Sequence, residues 1–303
     1  MSNAKPQGLA RNQHYVPQCY LKAWCGPNGK LVRYASERSG LHRREVVPKG
    51  TGFEIDLYTY QEAPFMRHAE PARIETRVFQ KFDDLGSKAL QTLRTRPLRD
   101  LSDDEKDWWT IFVHAAHYRH PTQLEKLKAQ TQAIADASVA QTLAEYAPIN
   151  RQRMEAVLAR PVRDGMTLKD VMIQNVTLDG LQKQLTHLPR LESIRAMTWA
   201  VLTMPPEQPL ITSDHPVLFN MHGQFRVITV ALSPSKLFLA YDPHPEMDED
   251  LEKEFALTHN RLLYVLSPKF IYSQGDLTGD ALAMAKTYLG RSNPLDLPDP
   301  SPA

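Results

Sequence analysis

The chain has 303 residues, 42% hydrophobic and 23% charged, which is enough to bury a real core and argues against a globally disordered polymer. Its formal net charge of +1 excludes a general electrostatic pull on nucleic acid or an anionic membrane. Two cysteines, Cys19 and Cys25, fit neither a CxxC redox pair nor a zinc knuckle. They suit a reducing compartment, and no apolar run approaches a membrane span of about 20 residues. We therefore expect a soluble, cytoplasmic protein that does not engage a membrane.

The first eleven residues read as a flexible start. In "NQHYVPQCYLKAWCGPNG" (12–29), Pro17 can open a helix and Gly26-Pro27 can stop it, which predicts a short helix over 17–25 with Tyr20, Leu21 and Trp24 on one face. "NG" then turns the chain into "KLVRYAS", an alternating strand, and "EVVPKGTGFEIDLYTY" offers two more short strands. Helices follow. Ile74, Val78, Phe82, Leu85, Ala89 and Leu93 recur at steps of three and four. Ser102 and Glu105 form a capping box before "DWWTIFVHAAHYR", in which Trp108, Trp109, Phe112 and Val113 face inward. Pro121 ends that helix and begins a long, weakly amphipathic one. "TLKDVMIQNVTLDGLQKQLTHL" and "LESIRAMTWAVLTMP" read as more helix or mixed structure.

Past Pro205, "PLITSDHPVLFN", "QFRVITVALSP" and "KLFLAYDP" read as strands, then "MDEDLEKEFALTHNRLLYVLSP" as a helix and "KFIYSQ" as a last strand. The β–α–β order predicts an α+β fold. N- and C-terminal strands share one mostly antiparallel sheet, with a helical middle region, about 70–203, packed against it. Residues 12–290 form a single domain, and 291–303 form a Pro-rich tail, disordered or extended.

Several blocks together resemble a bacterial family named only as domain of unknown function 4238. They are "HYVPQCYLKAW", "GKLVRYAS", "EIDLYTY", "RHPTQ", "ITSDHPV", "LSPSKLFL" and "THNRLLYVLSPKFIYS", in that order over roughly residues 12–275. The chain departs at His215, where the family usually has Asn before Pro, and at His120, where it tends to Thr. The resemblance supports His14, Arg119, Asp214 and Asn260, gives His120 and His215 no support, and implies no activity.

His14 precedes a helix whose first N–H groups can hold an anion, with Arg11 and Asn12 nearby. It can serve there as acid or base, or simply close the helix entry. Asp214 ends a strand, where a carboxylate can be catalytic or can make an ordinary turn. Arg119 can clamp a phosphate or pair with Glu75 or Asp56. His114, His117 and His120 lie three apart, so a metal site competes with plain packing. Glu54 and Asp56 share a strand face and are a weak Mg²⁺ signal. No nucleotide, dinucleotide or hydrolase motif is present.

Residues 1–50 carry nine Lys/Arg against Glu37 and Glu45, and residues 242–254 carry seven acids against Lys253. Two readings stay open. In one, the protein is an enzyme on a phosphate-containing substrate, such as a nuclease. His14 is then the acid/base, Asp214 the orienting or metal-binding carboxylate and Arg119 the phosphate clamp, with Arg11, Tyr15, Gln18 and Asn260 holding substrate. The basic N-terminal third adds affinity for that nucleic acid or phosphate ligand. In the other it is a non-catalytic module for a protein or nucleic acid, in which the same polar residues lock the junction between sheet and helices. No cofactor is assigned, and a divalent metal remains an alternative without a ligand set.

Overall fold

The computed structural model describes residues 11–63, 70–163, 165–220, 226–242 and 249–290. Its elements in chain order are β1 (Asn12–His14), α1 (Gln18–Leu21), β2 (Leu31–Glu37), β3 (Gly40–Val46), β4 (Phe53–Ile55), α2 (Gln80–Thr95) and α3 (Asp103–Tyr118). Then come α4 (Pro121–Ala144), α5 (Pro148–Leu158), β5 (Pro161–Arg163), β6 (Met166–Thr167), α6 (Leu168–Leu185) and α7 (Leu188–Arg195). The last are β7 (Thr198–Thr203), β8 (Thr212–Ser213), β9 (Val217–Asn220), β10 (Val227–Ser233), β11 (Lys236–Tyr241), α8 (Glu249–Leu266), β12 (Phe270–Ser273) and α9 (Gly279–Tyr288). The chain is α+β. The expected Pro-rich tail lies outside the described residues.

N- and C-terminal strands do share an antiparallel sheet, in the order β3-β2-β12-β8. It is accompanied by a second four-stranded sheet, β7-β11-β10-β9, built wholly from strands within Thr198–Tyr241. β7 is "TWAVLT", a stretch the sequence reads as helix or mixed. Helix-forming Ala and Leu are overridden there by six register pairs with β11, from Thr198↔Tyr241 to Thr203↔Lys236. α9 was not expected at all.

The chain divides into two compact units. One comprises the described residues of Met1–Gln13, Glu54–Lys81 and Tyr118–His187; the other those of His14–Phe53, Phe82–His117 and Leu188–Ala303. Both four-stranded sheets belong to the second unit.

In the first unit, α4 and α5 pack with α6. Thr167 and Asp170 cap α6 reciprocally: the Thr167 hydroxyl accepts from the Asp170 N–H, and the Asp170 carboxylate accepts from the Thr167 N–H at 2.8 Å. An amide holds the 59–61 segment to α6 in the manner of a strand neighbour. Gln61 N–H donates to Asn175 Oδ1 and Asn175 Nδ2 donates to the Gln61 carbonyl, each at 2.8 Å. Tyr60 donates to Asp179 at 2.7 Å, and Arg73 reaches the same carboxylate at 3.0 Å while lying 4.5 Å over the Tyr60 ring. Ahead of α2, residues Ile74–Phe79 form a wide π-turn. Of the six inward positions expected from the sequence, Ile74, Ala89 and Leu93 are buried, whereas Val78, within the π-turn, and Phe82 and Leu85 are only half-buried; Phe79, Gly86 and Leu90 are buried beside them.

In the second unit, the Ser102–Glu105 capping box starts α3 as expected. Trp109 then meets Phe112 at 5.4 Å and the edge of Phe238 on β11 at 5.3 Å. Trp108 is half-buried rather than inward. α2 is tied to its surroundings by Arg94, which donates to the carbonyls of Leu232 and Tyr20 at 2.6 and 3.0 Å. α2 and α3 come close at Gly86, where an added Cβ would sit 2.6 Å from the Phe112 ring. Gly86→Ala is expected to cost about 1–3 kcal/mol by overpacking, read as a lowered chemical-denaturation midpoint at unchanged m-value.

Candidate functional site

The second unit gathers residues from both ends of the chain around the Ser-Asp turn. Thr212, Ser213 and Asp214 are each 0% exposed. The Asp214 N–H donates to the Phe270 carbonyl at 3.1 Å, and Asp214 Oδ2 accepts from the Lys269 N–H at 3.0 Å. The carboxylate thus joins the end of β8 to the start of β12, while the Ser213 hydroxyl accepts from the His215 N–H at 3.1 Å.

Next to it, Tyr272 is fully buried and exchanges a hydrogen bond with Thr51 at 2.9 Å. Burial pushes its phenol well above the usual tyrosine value; the charge of Asp214 and the nearby Tyr15 add to the rise, and Arg33 opposes it. Tyr20 sits in a similar setting, with Thr212 Oγ1 at 2.8 Å and its hydroxyl donating to Ala231 at 2.7 Å, and burial raises its pKa too. Neither phenol can ionise near neutral pH, so each acts as a neutral hydrogen-bonding group.

His14 is half-buried, its ring 5.4 Å from Phe53. The helix after it is shorter than expected. α1 has four residues and runs into a 3₁₀ turn at Lys22–Trp24, with Pro17 as its cap residue rather than its first helical position, and no side-chain cap bond. One turn of helix sums too few peptide dipoles to make an anion site, so that argument for His14 fails. Tyr15 is 2% exposed and its N–H donates to the Gly52 carbonyl at 2.9 Å, which leaves its ring inside the fold. Gly52 has φ +66°, and a Cβ there would meet Val16 at 2.9 Å, so this close approach requires glycine. Gln18 is exposed at the start of α1.

Asn260, on α8, bridges a loop: its side chain accepts from the Ile211 N–H and donates to the Pro209 carbonyl, both at 3.0 Å. It borders a cavity of about 660 Å³ lined also by Leu210, Tyr264, Asp276 and Met284.

Arg119 and Arg11 belong to the first unit. Arg119 is 0% exposed, with its guanidinium 5.4 Å from the Phe79 ring centroid and its carbonyl accepting from Tyr58. Asp56, nominated as a partner for Arg119, is instead held by Arg11 at 2.8 Å on the surface. His120 is the N-cap of α4, its Nδ1 accepting from the Thr122 N–H at 3.2 Å.

The three-residue spacing of His114, His117 and His120 leaves a metal site and plain packing as alternatives. His114 is buried within α3, and His117 Nδ1 instead lies 3.2 Å from Nε2 of His215, with its ring 4.6 Å from Phe219. Among the described residues no group of three or more His, Cys, Asp or Glu is placed to hold a metal ion. Tyr272, Thr51 and the His117–His215 pair were not found from sequence, because nothing local signals a partner on a distant strand or helix. No described helix is long and apolar enough to cross a membrane.

Fold and site together define an α+β protein whose polar cluster is built into an antiparallel sheet. The chain belongs to the DUF4238 family, described as a protein of unknown function, whose model matches residues 12–276. No curated protein and no solved structure matches it.

One more buried group in this unit has a measurable consequence. His259 on α8 is 1% exposed and shares a 2.8 Å hydrogen bond with Thr229 on β10. Burial pushes its imidazole down to about 3 from 6.5, so the folded protein keeps it neutral. The unfolded chain binds this proton first. The associated stability is therefore present above about pH 6.5 and is lost as pH falls toward 3, at about 1.4 kcal/mol per unit. The stability gap between wild type and His259→Gln is expected to narrow by about 2 kcal/mol between pH 7.5 and pH 5, measured by denaturant unfolding at each pH.

Proposed function

We propose that this protein is a non-catalytic binding module, in which the polar residues shared with its family lock strands and loops together. The observation that carries this reading is Asp214. Its carboxylate is fully buried and accepts a backbone N–H from the strand it joins, which is the work of a structural group. Asn260 supports it, since both ends of its amide are committed to the 209–211 backbone. Arg119 supports it too, since a guanidinium with no exposed surface meets no ligand from solvent. The half-buried Cys19 and Cys25 are not joined in a disulfide, which favours a reducing, cytoplasmic setting. The family resemblance favours a bacterial one.

One observation favours the enzyme reading: His14 is only half-buried and belongs to the same unit as Asp214. In that reading His14 is the acid/base and Asp214 its orienting carboxylate, with no role for the buried Arg119. The two readings separate experimentally. As a module, the purified wild type leaves oligoribonucleotides, oligodeoxynucleotides and nucleoside phosphates intact with Mg²⁺ or Mn²⁺. Asp214→Ala then loses about 1–3 kcal/mol of unfolding stability, because the Lys269 N–H is left without its acceptor. Turnover by the wild type that disappears in His14→Ala at unchanged melting temperature would establish the enzyme instead.

A further inference from the structure

One face of the β3-β2-β12 sheet carries an arrangement that strand pairing alone disfavours. Arg33 on β2 stands directly opposite Arg44 on the edge strand β3. Like charges at opposed positions repel, and a sheet normally avoids them or inserts a carboxylate. Here neither guanidinium has a carboxylate partner among the described residues. The contrast with Arg43, one position away and on the opposite face, is sharp. Arg43 holds Asp276 at 2.8 Å and Glu45 at 3.1 Å. In the next row of the same face, His42 and Phe270 flank Ala35. The Arg33 guanidinium lies 4.6 Å from the Phe270 ring centroid. Arg44 is exposed, and Arg33, His42 and Phe270 are partly so. Glu37 lies at the hairpin end of this face, 3.8 Å from His42, and at its other end, beyond the buried Tyr272 that pairs with Arg33, Asp214 is buried beside Phe270 with its carboxylate accepting from the Lys269 N–H.

We propose that this face binds single-stranded nucleic acid, an inference that rests on the binding-module reading and names its partner. Two guanidiniums on adjacent strands can each take a phosphate of one backbone by paired N–H donors. Phe270, already stacked with a guanidinium, offers an aromatic face to a base. A gently twisted sheet presents such a platform to unpaired bases, whereas a duplex hides its base faces and is read by elements that enter a groove. An acidic peptide would satisfy the charges but leave the aromatic without a role.

The test uses the full chain and fluorescein-labelled twelve-nucleotide RNA and DNA oligomers, single-stranded and as duplexes, with binding read by anisotropy from 50 to 300 mM NaCl. Single strands are expected to bind more tightly than duplexes. Arg33→Gln/Arg44→Gln should weaken single-strand binding at least about tenfold at the lowest salt. It should also reduce the log–log salt slope by about 1.4, for two lost phosphate contacts. Phe270→Leu, which keeps apolar volume on β12, should weaken binding at least about fivefold without changing the slope. Melting temperatures report whether each variant is folded, and Arg44→Gln alone, at an exposed edge position, serves if the double variant is not.

Equal or tighter binding to duplexes, or wild-type binding that the variants leave unchanged, overturns the proposal. So does displacement of the oligomer by an equal concentration of poly-glutamate peptide. Failure of the module reading looks different. Cleavage of the oligomer by wild type, seen on a gel, removes that reading while the variants still report on the face. Absence of both binding and cleavage removes the face and leaves a protein partner for the module.

Discussion

The fold of the second unit depends on one arrangement: β12 lies between β2 and β8 and satisfies both. The N-terminal hairpin of β2 and β3 has no local third strand, and a two-stranded hairpin is marginal in water. It is completed by Phe270–Ser273, and the same strand then receives β8 along its other edge. Every group sealed beneath must find a partner inside the fold. The chain solves this with bonds of very long reach. Thr51 meets Tyr272 across 221 positions, the Leu277 N–H donates to the Tyr34 hydroxyl across 243, and Trp24 donates to the Leu210 carbonyl across 186. None of these can form until the far end of the chain has arrived, so the closure entropy comes before any of their gain.

The matched segment takes in the residues at which this closure is made. The family match runs from Asn12 to Asp276, from β1 to just beyond β12. His14-Tyr15-Val16 runs beside Gly52 and Phe53; Asp214 closes β8 onto β12; Asn260 fixes the loop that leads into β8. A buried carboxylate or amide at such a point is worth less for its own bond than for the backbone groups that it spares from being buried unpaired. That asymmetry lets a protein retain sharply defined polar positions without chemistry at any of them.

The legible part of this structure was whatever a local pattern could carry. Alternation marked Leu31–Glu37, turn signals bounded the apolar strands at Val227–Ser233 and Lys236–Tyr241, and the Ser102–Glu105 box marked a helix start to the residue. The sharing of one sheet by both chain ends followed from the β–α–β order. What escaped had its cause elsewhere in the chain. Thr198–Thr203 holds four strand-favouring residues, Thr, Trp, Val and Thr, but it follows a helical pattern without a break, and its pairing with β11 is what shows the strand. Val78, Phe82 and Leu85 are only half-buried, although Ile74, Ala89 and Leu93 of the same pattern are buried as expected. His117 was read with its helical neighbour His114, yet its imidazole meets His215, 98 positions away. Tyr272 carried no signal at all, since a tyrosine in "KFIYSQ" looks the same whether its hydroxyl is bonded or wet.

The charge of the N-terminal third shows how the fold rewrites a sequence count. Nine basic residues against two acidic ones suggest a continuous positive field. Strand alternation divides it instead. Arg11 is spent on Asp56, and Arg43 is neutralised by Glu45 and Asp276 on the face that packs toward α9. Arg33 and Arg44 fall on the opposite face, in register, with an aromatic ring rather than a carboxylate for company. A one-residue slip between β2 and β3 would separate the pair onto different faces, so this juxtaposition is fixed by the register. The same register buries Val32 and Tyr34 in the core of the unit. The packing of one side of β2 thus sets which residues stand opposite each other on its other side, where Leu31 and Ala35 are themselves buried on either side of Arg33.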